Sequence, residues 1–152
     1  MRLIKICFIF IFSIVLVGCT KQPERIGSSS YPEIQLLNKD TKTIQNKLVA
    51  RMLDKGYYLV ESTDFKIDFR KDFLAGEDSV ARAIMQASDG STVDSKGIEY
   101  TIYSINNQLI IKGKSYLYKT FSYNKKAPEK FDLTNNNAHY NHIQTILNEL
   151  NN

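Results

Sequence analysis

From Ile6 to Val17 the chain is apolar at every position but Ser13, and the run stops on Gly18-Cys19. Those 12 residues fall short of a bilayer span, since a helix needs about 20 to cross roughly 30 Å of hydrocarbon. Arg2 and Lys5 precede the run, giving it the charged start and short apolar centre of a targeting segment. The globular part must therefore be built from the residues after Gly18. The chain has 2 cysteines, Cys7 inside the run and Cys19 at its end. No disulfide can form within the remainder, so its stability has to come from packing. The length left over suits one domain with a modest core.

The residues Leu16-Val17-Gly18-Cys19 resemble the lipobox of bacterial lipoproteins, Leu-x-Gly-Cys at the end of the apolar core. The resemblance implies a diacylglyceryl group on the Cys19 thiol and cleavage between Gly18 and Cys19. It also implies further acylation, such as a palmitate, on the amino group so exposed. Each buried methylene contributes about 0.8 kcal/mol, and two or three chains hold a protein lastingly where one does not. Thr20 stands where an Asp would retain such a protein in the inner membrane, which implies the outer membrane and a domain facing the periplasm. The expected organisation is a signal peptide over 1–18, a flexible tether over 19–32, and a single domain over 33–152. The tether reading rests on the breakers Pro23, Gly27, Ser28, Ser29, Ser30 and Pro32.

The formal charge of +4 falls to +2 once Arg2 and Lys5 are set aside. That near balance, outside the cytoplasm, argues against a nucleic-acid partner.

Periodicity predicts an α+β domain. Ile44, Leu48, Val49, Met52 and Leu53 form one apolar stripe of a helix over 41–55, with Asp40 or Thr41 as cap and Gly56 at its end. A weak edge strand is expected over 33–37. Strands are expected over 57–61 and 65–70, where Phe65, Ile67 and Phe69 alternate with Lys66, Asp68 and Arg70 around a Ser62-Thr63-Asp64 turn. A short helix from Asp78 or Ser79 to Ala87 is followed by a loop over 89–97. Strands over 98–105 and 108–123 meet at an Asn106-Asn107 hairpin turn, with Gly113 expected to mark a bulge or bend. A polar loop through Pro128 leads to a last helix over 138–150, burying Tyr140, Ile143, Ile146, Leu147 and Leu150. The simplest assembly is an antiparallel sheet of about four strands with both amphipathic helices on one face. Leu53 to Val60, Phe65 to Phe69 and Ile143 to Leu147 resemble corresponding segments of small envelope lipoproteins of proteobacteria.

The face left bare would carry Tyr103, Lys112, Lys114, Tyr116 and Tyr118, an aromatic and cationic surface suited to an envelope protein partner or to an anionic polymer. His139 and His142, three apart at the start of the last helix, lack a third ligand and read as solvent-facing, with no metal or other cofactor expected. No nucleophile-and-base motif occurs. The reading is a non-enzymatic binding or assembly subunit, held to the membrane by the lipid on Cys19. Its alternatives are an envelope hydrolase using carboxylates near Asp64, Asp68 or Glu77, which would have to converge across a cleft, and a carrier of a small apolar ligand.

Overall fold

A computed structural model describes residues 24–73, 90–121 and 124–151, with the backbone alone for 124–127. The elements are β1 (Glu33–Leu37), α1 (Thr41–Asp54), β2 (Tyr58–Ser62), β3 (Lys66–Asp72), β4 (Ser91–Ile105), β5 (Gln108–Phe121), β6 (Asn124–Asp132) and α2 (Asn137–Asn148). A 3₁₀ turn over Glu149–Asn151 ends the described chain.

The strands form one 6-stranded antiparallel sheet in the order β1-β5-β4-β3-β2. β1 and β6 share the same side of β5: β1 pairs with its first half, from Gln108 to Lys112, and β6 with its second, from Tyr116 to Phe121. The long β4–β5 hairpin sets the register. It turns on Asn106 and Asn107, at φ 50° and 61°, the paired positive values that match the twist of the strands.

Helix α1 starts on Asp40, whose Oδ2 accepts from the Thr43 amide at 2.7 Å. It ends with Gly56 (φ 79°), where the Gly56 amide donates to Leu53 and the Tyr57 amide to Met52, closing the last carbonyls. Helix α2 starts on Asn136, whose Oδ1 accepts from the Ala138 amide at 2.9 Å. One cluster joins Ile44, Leu48 and Met52 of α1 and Ile143, Ile146 and Leu147 of α2 to Ile67, Phe69, Ile98, Tyr100, Ile102, Leu109 and Ile111 of the sheet. Both helices therefore cover the same face. The tightest point is Gly113, directly opposite Tyr100 in the hairpin. A Cβ there would lie 2.3 Å from Ile143 Cγ2 and 3.2 Å from the Tyr100 ring.

Several expectations are corrected. The sheet has 6 strands rather than about four. Residues 91–97 extend β4 instead of forming a loop: Ser91, Val93 and Ser95 are buried and alternate with exposed Thr92 and Asp94, so small polar side chains take buried positions of a period-2 pattern normally read from apolar ones. The polar stretch around Pro128 is β6. It lies at a sheet edge, where a proline's missing N–H costs no ladder bond, and Pro128 falls where the pairing shifts between Lys119 and Phe121. Gly113 marks no bulge; it admits α2. Bulges occur instead between Leu59 and Glu61 and between Val93 and Ser95. Phe65 sits in the β2–β3 turn and is 70% exposed, so the inward alternation begins at Ile67. The helix expected near 78–87 lies outside the described residues.

Part of the stretch expected as tether is bonded to the fold. Ile26 N donates to Asn141 Oδ1 at 2.7 Å and Asn141 Nδ2 to Glu24 O at 2.6 Å. Arg25 lies 4.5 Å over the Tyr140 ring. Gln144 brackets the start of β1, accepting from Glu33 N at 3.1 Å and donating to Glu33 O at 3.0 Å.

Gly113→Ala should destabilise the protein by about 1–3 kcal/mol, the usual cost of overpacking a filled core. Thermal melting of Gly113→Ala, Ile143→Ala and the double variant checks this. The glycine substitution should cost clearly less where Ile143 has already been cut back.

Candidate functional site

The sheet face turned away from the helices carries the side chains of opposite parity. Cross-strand partners there are Lys66 with Thr101, Asp68 with Glu99, Arg70 with Gly97, Thr101 with Lys112, Glu99 with Lys114, and Gly97 with Tyr116. Tyr103, Lys112, Lys114, Tyr116 and Tyr118 share this face.

Among the described residues no helix covers it, and it covers itself. The Arg70 guanidinium lies 4.0 Å over the Tyr118 ring, and the Lys130 ammonium 3.7 Å over the Tyr116 ring. Lys112 stands 5.8 Å from the Tyr103 ring and Lys114 5.0 Å from that of Tyr31. Tyr118 closes over Gly97, where a Cβ would come within 2.7 Å of its ring. Tyr118 is left only 6% exposed, so of the tyrosines expected as a contact surface this one is part of the structure. Such cation–ring contacts contribute roughly 0.5–1 kcal/mol in water and about 2 when desolvated.

Ion pairs complete the mosaic: Lys66 with Glu61 at 2.7 Å, Lys130 with Glu99 at 3.1 Å and Lys112 with Glu33 at 3.6 Å. The cations Lys66, Arg70, Lys112, Lys114 and Lys130 face a nearly equal number of carboxylates, Glu33, Glu61, Asp68, Asp72, Glu99 and Asp132. The face is thus aromatic and charged in detail but near neutral in sum.

The carboxylates of the hydrolase alternative separate. Asp68 lies within this face, 8% exposed, and its Oδ1 has no hydrogen-bond partner among the described residues. Burial pushes its pKa up and Glu99 adds to the rise, while Lys130, Lys66 and Arg70 oppose it. Asp64 is in the β2–β3 turn, lining with Asp40, Gln45 and Phe65 a groove of about 420 Å³ beside the start of α1, and Asp68 does not line that groove. Glu77 and the lipid-bearing candidate Cys19 lie outside the described residues.

His139 is not solvent-facing. Its Nδ1 is 3.1 Å from Ser115 Oγ, and the Ser115 amide donates to Thr134 Oγ1 at 3.1 Å. With His142, Tyr57, Lys96, Ser115 and Ala138 it lines a cavity of about 180 Å³ at the other end of α1. Loss of hydration lowers the pKa of both imidazoles. Lys96 lowers that of His139 further, and Lys55, Lys96, His139 and Lys71 all act in that direction on His142. Burial pushes the Tyr57 phenol up to about 12. Sequence spacing brought out the histidine pair but not Lys96 and Ser115, which only the β4–β5 register delivers to it. Among the described residues no group of three or more His, Cys, Asp or Glu is placed to hold a metal ion.

A third surface had no clear mark in the sequence. β2 is the outer strand of the sheet, and Tyr58, Leu59 and Val60 are 43%, 42% and 48% exposed on it. Its one signal was the unbroken run Tyr57-Tyr58-Leu59-Val60, which has no alternation to mark a buried side. Among the described residues no helix is long and apolar enough to cross a membrane. No family model, curated protein or solved structure matches the chain.

The stacked pair on the bare face and the two histidines, of which His139 is half-buried and His142 exposed as expected, each have a measurable consequence. A double-mutant cycle on Arg70→Met and Tyr118→Leu, read by chemical denaturation, should give a coupling of about 0.5–2 kcal/mol. For the histidines, a folded pKa below the unfolded value of about 6.5 means that the unfolded chain binds protons first. Stability should therefore fall as pH drops through and below that value. Denaturation at pH 8 and pH 5.5 should show the loss, and His139→Gln with His142→Gln should reduce it.

Proposed function

We propose that the protein is a lipid-anchored, non-enzymatic binding subunit of the bacterial envelope. In this reading Cys19 fixes it to the outer membrane, and its domain faces the periplasm and engages a protein partner. The anchor is supported by the order of residues from Arg2 to Cys19. The binding role is carried by one observation: three consecutive apolar or aromatic residues, Tyr58, Leu59 and Val60, stand exposed on an edge strand. Tyr58 stands on the Arg70 side of the sheet and Leu59 on the Phe69 side, so the exposure wraps the outer edge of the strand instead of one face. Apolar exposure gathered at one edge in this way is typical of contact surfaces. The bulge at Val60 interrupts the strand ladder, so the edge favours contact through side chains over pairing of backbones. The adjoining mosaic of tyrosines and paired charges, near neutral in sum, suits a protein surface better than an anionic polymer.

Two measurements test the reading. Intact-mass analysis of the protein from membranes should find residues 1–18 missing and acyl chains on Cys19, and Cys19→Ser should abolish both. A photo-crosslinking residue at Val60 in intact cells should give one discrete adduct that is absent when the probe is at Asn46, on α1. Val60→Lys, with melting unchanged, should weaken capture by a probe at Tyr103. Equal labelling from all three positions would overturn the binding surface without touching the anchor.

A further inference from the structure

We propose that the cavity between the C-terminal end of α1 and the N-terminal end of α2 is a binding site for a phosphate-class anion, held by Lys96, His139 and His142. The site is built by four elements. β4 supplies Lys96, β5 supplies Ser115, α2 supplies His139 and His142, and Tyr57 follows α1; together they line a pocket of about 180 Å³ that is open to solvent on one side. A cavity with a lysine, two imidazoles and a hydroxyl on its walls offers several donors and up to three positive charges to one small oxyanion.

Among the described residues, the charges that act on the cavity's imidazoles are all cationic. Lys55, at the end of α1, and Lys71, on β3, both act on His142 as cations. Lys71 Nζ donates to Lys55 O at 3.2 Å, and Lys96 Nζ stands 5.5 Å from the Phe73 ring. Among the described residues no carboxylate lines the cavity or pairs with Lys55, Lys71 or Lys96. Asp132, on the adjoining β6, accepts from the Thr134 amide at 2.7 Å instead. This contrasts with the opposite face of the sheet, where described lysines meet glutamates. Ser115 holds His139 by Nδ1, leaving Nε2 for a ligand. Cations gathered without counter-charge disfavour their own protonation, and an anion seated among them reverses that effect. Binding should accordingly strengthen as pH falls and the imidazoles charge.

The chemistry does not depend on the lipid-anchor reading, but the source of the phosphate does. Glu24 is bonded to Asn141, the neighbour of His142, and stands five residues after Cys19. Five residues span at most about 18 Å, so a lipid on Cys19 would keep the cavity near phosphate headgroups. Free inorganic phosphate offers the same group.

The chain has only 2 histidines, so their ring protons can be followed by NMR in the full chain, purified in non-ionic detergent. Titrations at matched ionic strength would compare chloride, inorganic phosphate, and short-chain phosphatidate added to the micelles. A rise of about one unit in both imidazole pKa values with inorganic phosphate establishes a free-anion site. The same rise with phosphatidate alone establishes a headgroup site. Affinity should be about tenfold weaker at pH 8 than at pH 5.5, and about tenfold weaker in Lys96→Gln. His142→Gln, at a more exposed position, provides a second variant, in which the phosphate response of His139 should shrink with the melting temperature unchanged. No rise with either phosphate, or an equal rise with chloride, overturns the proposal.

Discussion

Where Gly113 lacks a side chain, Ile143 of α2 and the ring of Tyr100 take the space, and the two-layer body depends on that exchange. Tyr100 is fully buried and donates its hydroxyl to Met52 Sδ of α1 at 3.6 Å. One cross-strand pair, Tyr100 with Gly113, therefore touches both helices and fixes their height above the sheet. With no cysteine among the described residues, such close packing has to supply the constraint that a disulfide gives elsewhere. A methyl group at this point would lift α2, and with it His139 and the Gln144 bracket on β1, away from the strands.

The bare face solves a different problem. A six-stranded sheet with helices on one side leaves a broad surface that would be sticky if apolar and unstable if charged with one sign. Here the tyrosine rings provide area, and long cationic side chains lie over them while keeping their ammonium groups near water. Glu61, Glu99 and Glu33 then pair with Lys66, Lys130 and Lys112, and the remaining carboxylates offset the other cations in sum. Asp68 is where this arrangement is tightest, since its Oδ1 is buried without a donor among the described residues. The result is an ordered but neutral skin. The apolar exposure that remains on β2 stands out against it.

The parts of the fold that were legible in the sequence are those where one residue type dictates one geometry. The stripe of Ile44, Leu48 and Met52, the Asp40 cap, the Asn106-Asn107 turn and the buried side of α2 all match the structure. The stripe's expected last member, Leu53, does not and stands exposed. The alternation around Lys66, Asp68 and Arg70 also assigned the face opposite the helices correctly, together with its five tyrosine and lysine positions. What was missed lay in β4 before Gly97 and in β6. There strand pairing is imposed by the length of the β5 partner, not by local composition, so Ser, Thr, Asp and Lys take extended backbone that their own preferences do not announce. Cavities were illegible for a related reason. Lys96 and His139 are 43 residues apart in the chain, and only the hairpin register and the height of α2 bring them together.

These features give the molecule two unlike ends. Glu24 and the start of α2 share one end with the cationic cavity, while the Asn106-Asn107 tip, the β2–β3 turn and the start of α1 lie at the other. Because Glu24 and Ile26 are bonded to Asn141 of α2, five residues, and not the fourteen up to Glu33, separate Cys19 from the body. In the proposed reading an anchor on so short a lead would restrict tumbling, holding that end toward the bilayer with the strands along its normal and the outer edge of β2 facing sideways. A partner that meets β2 would then approach within the plane of the envelope. Such an orientation raises the effective concentration of the two surfaces without any further contact between them.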